Sequence, residues 1–130
     1  MHEFLGFMLA SSIEWILVAS GIITAGAGLA ALLFPHLFLR TGFGVDSPIS
    51  VTVFFVQHWG VLIFAIGALI AYGAVAPTVR VPVLAAAVIE KCAIGLLTFF
   101  GPLKRTPAMT AMALGDGAFA VLYVAYLAGL

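Results

Sequence analysis

The sequence predicts an all-α integral membrane protein, a single domain over residues 1–130 in which four helices cross the bilayer as a bundle. The first observation behind this is composition: the chain is 65% hydrophobic and only 8% charged, with a mean hydropathy of +1.28. A soluble domain of this length needs a charged surface that ten Asp, Glu, Lys and Arg side chains cannot supply, whereas lipid favours an apolar exterior. The second is pattern. Four apolar segments recur, each long enough at helical rise to cross a hydrocarbon core of about 30 Å. The third is punctuation, because Pro or Gly-Pro stands between successive segments. Backbone groups in lipid must be satisfied within a helix or a closed barrel, and apolar runs of this length are helices.

The first span is expected from about Ile13 to Phe34, with a start as early as Phe4 also open, and Pro35 stops it. The second runs from about Val51 to Ala76 and stops at Pro77. The third covers Val81 to Phe100, tolerates Pro82 in its first turn, and ends at Gly101-Pro102. The fourth runs from Met109 to Leu130 after Thr106-Pro107. The one longer connection, Pro35 to Ser50, mixes aromatic and basic residues; an interfacial segment and a simple loop fit it equally. The N-terminus lacks the basic region of a secretory signal and its apolar stretch continues into the first span, so it is read as uncleaved.

Arg40, Lys104 and Arg105 fall on one side of the membrane and Arg80 on the other. The positive-inside rule then places the first and third loops in the cytoplasm and both termini outside. Net charge is zero, so nucleic acid is not an expected partner. The single cysteine, Cys92, excludes an intrachain disulfide and reads as a small buried hydrophobe. No GxSxG, HExxH or P-loop pattern occurs, no catalytic residue is identified, zinc lacks ligands at suitable spacing, and His36 and His58 make a poor haem pair because His36 falls in the loop. No cofactor can be named.

The candidate site residues are the polar groups inside the spans. Glu90 and Lys91 lie near the middle of the third span, where one charge costs roughly 3 kcal/mol or more. Helical rise places Asp116 of the fourth span and His58 of the second within a few ångströms of similar depth, so the four could meet inside the bundle. Glu90 and Lys91 are about 100° apart around the helix and cannot face the same way. On the second span, Leu62, Ala65, Leu69 and Tyr72 share the His58 face, with Gly60 and Gly67 opposite; that helix is expected to pack tightly through its glycines and to line a polar interior with His58. Met109, Met112, Ala120, Tyr123 and Leu127 share the Asp116 face. Glu14 beside Trp15 is expected at shallow, interfacial depth, or about 15 Å deep as another buried acid if the first helix starts near Phe4, and Gln57 can hydrogen-bond between helices. Two readings of the set stand side by side, a structural ion-pair network and a ligand-binding or proton-handling site.

Leu29-Ala30-Ala31-Leu32-Leu33-Phe34-Pro35, then Gly42 and Gly44, His58-Trp59-Gly60 with Gly67, Ala87-Val88-Ile89-Glu90-Lys91 and Gly115-Asp116-Gly117 follow one another in an order that resembles the small four-helix bacterial membrane proteins grouped as DoxX-like. The resemblance implies a four-helix bundle in a bacterial inner membrane and, as in some members, association with membrane redox enzymes. Length and an early acid also resemble small multidrug exporters, with Glu14 as the matching residue; charges in the third and fourth spans depart from that family. The leading expectation is a small membrane binding or accessory component supporting a redox or lipid-metabolising assembly. Beyond the bilayer, its expected partners are a lipid, quinone or small hydrophobic ligand, and a second copy or a larger membrane complex. The alternatives are a proton-coupled transporter of a hydrophobic or cationic solute and a membrane enzyme using Glu90 or Asp116 as acid or base on a lipid or isoprenoid.

Overall fold

The computed structural model describes the backbone of residues 2–129 and the side chains of residue 3 and residues 12–129. Among these residues the chain is all α: α1 (His2–Leu33), α2 (Pro35–Phe43), α3 (Ser50–Tyr72), a 3-10 turn (Pro77–Val79), α4 (Arg80–Phe100) and α5 (Pro107–Leu127), with no strand. Four segments are long and apolar enough to cross a membrane: Ser12–Leu33, Ser50–Tyr72, Pro77–Phe100 and Pro107–Leu127. Their outward surfaces carry Ile22, Phe54, Phe55, Leu62, Ile89, Leu97 and Val121, all exposed as lipid-facing side chains are. The protein is an integral membrane helical bundle.

Prolines set the boundaries by restricting the residue before them. Phe34 (φ −131°, ψ 59°), Ala76 (φ −128°, ψ 81°) and Thr106 (φ −94°, ψ 162°) all leave the helical region ahead of Pro35, Pro77 and Pro107. Helix α1 begins earlier than either expected start, at His2. Helix α3 stops at Tyr72 rather than Ala76, and residues 73–76 turn toward the 3-10 segment. Helix α5 starts at Pro107, where Thr106 is a true N-cap: its Oγ1 accepts from the Met109 N–H at 3.1 Å. Of the two readings open for the first connection, the structure has a helix. Residues Pro35–Phe43 form α2, closed by Gly44 in the left-handed conformation (φ 71°), which favours glycine. The Thr106 hydroxyl also donates to the Gly42 carbonyl at 2.7 Å, tying the end of α2 to the start of α5.

Two helix pairs make up the bundle. Helices α1 and α3 pack backbone against backbone. A Cβ added at Gly21 would lie 2.6 Å from Ala71 N and 2.7 Å from Gly67 O, and one at Gly60 would lie 2.6 Å from Gly28 O. Gly28 likewise meets Phe64 and Gly60, and Gly67 meets Ala25 and Gly21. Gly21 meeting Gly67 and Gly28 meeting Gly60 makes the helices antiparallel, and the seven-residue spacing on each keeps both contacts on one face. Lipid tails are as apolar as leucine, so this close approach, with its dispersion contacts, takes the place of a hydrophobic drive. Helices α4 and α5 form the second pair, and the core where the pairs meet contains Leu17, Ile70, Leu84, Ala87 and Tyr123.

Gly67→Leu is expected to destabilise the protein by about 1–3 kcal/mol, the usual cost of forcing volume into a packed contact. Gly95→Ala, where an added Cβ meets nothing within 4 Å, is expected to stabilise α4 by about 0.5–1 kcal/mol. Denaturant titration in detergent micelles, followed by circular dichroism, measures both; a Gly67→Leu protein as stable as the parent would remove the close α1–α3 contact as a determinant of the fold.

Candidate functional site: a polar pocket at mid-bundle

Half-way along α4, helical geometry makes Glu90 and Lys91 diverge, and the structure places Lys91 inside. Its side chain is 1% exposed although it lies about 16 Å from the Arg80 end of the helix. Three groups from two other helices receive the ammonium. Nζ donates to Asp116 Oδ1 of α5 at 2.9 Å and to Thr24 Oγ1 of α1 at 3.2 Å, and it lies 5.7 Å from the centroid of the Phe119 ring. The Asp116 contact is a salt bridge with the carboxylate 22% exposed. A buried ammonium needs both an opposite charge and acceptors for its N–H groups, and this set supplies them.

Glu90, one residue back, turns to the edge of the same space. Its Oε2 is sequestered from solvent and has no hydrogen-bond partner among the described residues. The space is a cavity of about 230 Å³ where the two helix pairs meet. Glu90, Lys91 and Asp116 line one part of it; Thr24, Trp59, Met112 and Phe119 are among the residues completing the wall. A lone carboxyl oxygen beside a satisfied ion pair, with aromatic and thioether walls, suits a molecule that presents one hydrogen-bond donor and an apolar body. Among the described residues, no three His, Cys, Asp or Glu side chains converge as metal ligands.

Further polar contacts continue along the same interface. The Tyr123 hydroxyl donates to Ser20 Oγ, one helical turn from Thr24, and Ser20 donates on to the Ile16 carbonyl at 2.6 Å. At the far end Arg80 Nη1 donates to the Tyr126 hydroxyl at 3.3 Å. Serine, threonine and tyrosine hydroxyls thus line the junction at intervals of about a turn.

The other sequence candidates fall elsewhere. His58 is exposed on the outer face of α3, as are Leu62, Ala65, Leu69 and Tyr72, the face expected to line the interior. The reason is the glycine seam: it holds the opposite side of α3 against α1 and turns this face outward, so Trp59, about 100° round the helix, lines the cavity instead. Glu14 is exposed on α1, ten residues or about 15 Å before Thr24, and does not line the cavity. Gln57 Nε2 donates to the Leu32 carbonyl at 3.1 Å, satisfying one of the last acceptors of α1, which have no partner within the helix. Cys92 is exposed, lining a lipid-facing groove between α4 and α5, rather than a buried hydrophobe. Arg80 is the buried first residue of α4, not a free loop cation: Nε donates to the Gly73 carbonyl at 2.6 Å and Nη2 to that of Ala74 at 3.1 Å, capping the end of α3. Thr24 and Ser20, absent from the sequence candidates, had one available signal, two hydroxyl residues at i and i+4 on a single helix.

Comparison of the chain with protein-family models, with curated proteins and with solved structures finds no match.

Lys91→Met is expected to destabilise the protein by about 3 kcal/mol, because Asp116 is then left inside the bundle without its partner. The double replacement Lys91→Met/Asp116→Leu is expected to recover most of that loss, since removing both partners leaves no unpaired charge. A double-mutant cycle from denaturant unfolding in detergent checks this, and additive losses would show that the two side chains do not act as a pair.

Proposed function

We propose that this membrane protein is a binding component whose mid-bundle cavity takes part of an apolar molecule carrying a hydroxyl or amine, and that Glu90 accepts the hydrogen bond. The observation that carries this reading is the sequestered Glu90 Oε2, left without a donor beside a Lys91–Asp116 pair that is complete without it. At about 230 Å³ the cavity is smaller than the roughly 300–1,000 Å³ that holds a drug-sized ligand. A ring or head group fits, and the rest of the molecule extends between helices toward the lipid. Hydroquinones and lipids with a free hydroxyl belong to this class, in keeping with a role beside membrane redox or lipid-metabolising enzymes. The cationic face bearing Arg40, Lys104 and Arg105 is proposed to face the cytoplasm, with Arg80 on the other side.

Proton-coupled transport is a second reading, favoured by one specific arrangement. The tightly packed α1–α3 pair meets α4 and α5 through Lys91–Thr24 and Tyr123–Ser20, with hydroxyls about a turn apart. Such a junction could reopen by exchanging a few hydrogen bonds while each pair stays intact, which is the rigid-pair motion that alternating access needs.

A variant with Trp15→Phe leaves Trp59 as the single tryptophan, inside the cavity wall. Titration with a short-chain hydroquinone and a short-chain fatty alcohol, followed by Trp59 fluorescence, is expected to saturate for at least one, and Glu90→Leu, which removes the acceptor, is expected to weaken that binding roughly 10-fold, about the worth of one hydrogen bond. Equal affinity in the Glu90→Leu protein would sink the assignment of Glu90. Proton-gradient-driven solute flux in liposomes, abolished by Glu90→Gln, would instead establish the transport reading.

A further inference from the structure

A second, larger hollow lies at the membrane face where α2 runs. It has a volume of about 610 Å³ and an almost wholly apolar lining, formed by Phe38, Leu39 and Phe43 of α2, Val51, Phe55 and Trp59 of α3, and by residues of α4 and its following loop. Helix α2 is the only described helix too short to cross a membrane by itself. Its aromatic side is fixed over α3, the Phe38 ring lying 5.5 Å from Trp59 and 5.7 Å from Phe43. Its C-terminal end is pinned to α5 through Thr106 and Gly42. The hollow is therefore a groove bounded by elements fixed to one another, at the end of the bundle where α2 links α1 to α3.

Charge on the residues flanking its lining in the chain is unbalanced. Exposed Arg40 follows lining residue Leu39, and exposed Lys104 and Arg105 follow lining residue Leu103. Arg105 lies over the Phe99 ring, 4.9 Å from its centroid, on the side of the groove between α4 and α5. One exposed carboxylate, Asp46, stands beside lining residue Val45 and offsets one of the three cations. An apolar trough flanked in the chain by net positive charge matches the polarity of one molecule class abundant in membranes: an acyl chain joined to a phosphate.

We infer that the groove beneath α2 is a binding site for an anionic phospholipid, with an acyl chain against Phe38, Phe43 and Phe55 and the phosphate near Arg40 and Lys104. A zwitterionic lipid would gain the same chain contacts but would lose most of the charge attraction. The site is independent of the mid-bundle cavity and of what that cavity takes, although Trp59 stands in the wall of both.

The test uses the full chain reconstituted in vesicles of equal parts phosphatidylglycerol and phosphatidylcholine, released in mild detergent and weighed by native mass spectrometry. Retained lipid is expected to be enriched in phosphatidylglycerol. Arg40→Gln and Lys104→Gln, both at exposed positions, are expected to lower the enrichment about fivefold each. Val51→Trp fills the groove without changing charge and is expected to abolish retention while circular dichroism stays unchanged; Leu103→Trp, in the loop after α4, is a second filling variant should the first fail to fold. Equal retention of the two lipids by the parent protein would overturn the inference. So would undiminished phosphatidylglycerol retention in a folded filling variant, since diffuse charge attraction alone would then account for it.

Discussion

The Lys91 ammonium, taken to the middle of the bundle, is the group around which the interior is arranged. A charge at that depth is stable only if another helix brings a counter-charge and further acceptors to it. Asp116 from α5 supplies the first, Thr24 from α1 supplies an acceptor, and the Phe119 face adds a cation–π contact. One side chain thereby sets three helices in rotation and register. It also explains why the Asp116 face of α5 is its buried face: Met109, Ala120 and Tyr123 lie on that side and are buried with it.

Packing and polarity divide the work between them. The four glycines at seven-residue spacing lock α1 to α3 at a distance no larger residue permits, while α4 and α5 form a pair of their own. Between the pairs, specific attraction comes chiefly from hydrogen bonds: Lys91 to Thr24, Tyr123 to Ser20, and Arg80 to the carbonyls ending α3. Without a hydrophobic drive between helices in lipid, such bonds select one arrangement among many of similar packing. The same economy leaves an opening. Lys91 is paired with Asp116 and Thr24 without Glu90, whose Oε2 has no hydrogen-bond partner among the described residues and whose side chain also lines the cavity.

What could be read from the residues differs from helix to helix for physical reasons. Four membrane-crossing helices, their proline-marked ends and the depth of Glu90, Lys91 and Asp116 follow from hydropathy and rise per residue, which are local properties. The expected place of His58 followed from depth too, but depth says nothing about rotation. Gly60 and Gly67 carried the information that decided it, since a glycine face can be assigned to a neighbouring helix, and the opposite face then belongs outside. The error lay in giving that outer face to the interior rather than to lipid. Arg80 misled in another way: a cation at a predicted helix end reads as a wetted loop residue, whereas the carbonyls left free by the end of α3 fall within its reach.

By itself the sequence determined the class of protein, the number of crossings and the presence of charge in the middle of an apolar helix, because each depends on the composition of a contiguous segment and the thickness of a bilayer. Only the tertiary structure decided which of the adjacent pair is enclosed. Two residues 100° apart on one helix cannot both face the same neighbour, and which of them does depends on where α1 and α5 lie. Their placement turned Lys91 inward onto Asp116 and Thr24, left Glu90 at the rim of the cavity with a free acceptor, and sent His58 to the lipid.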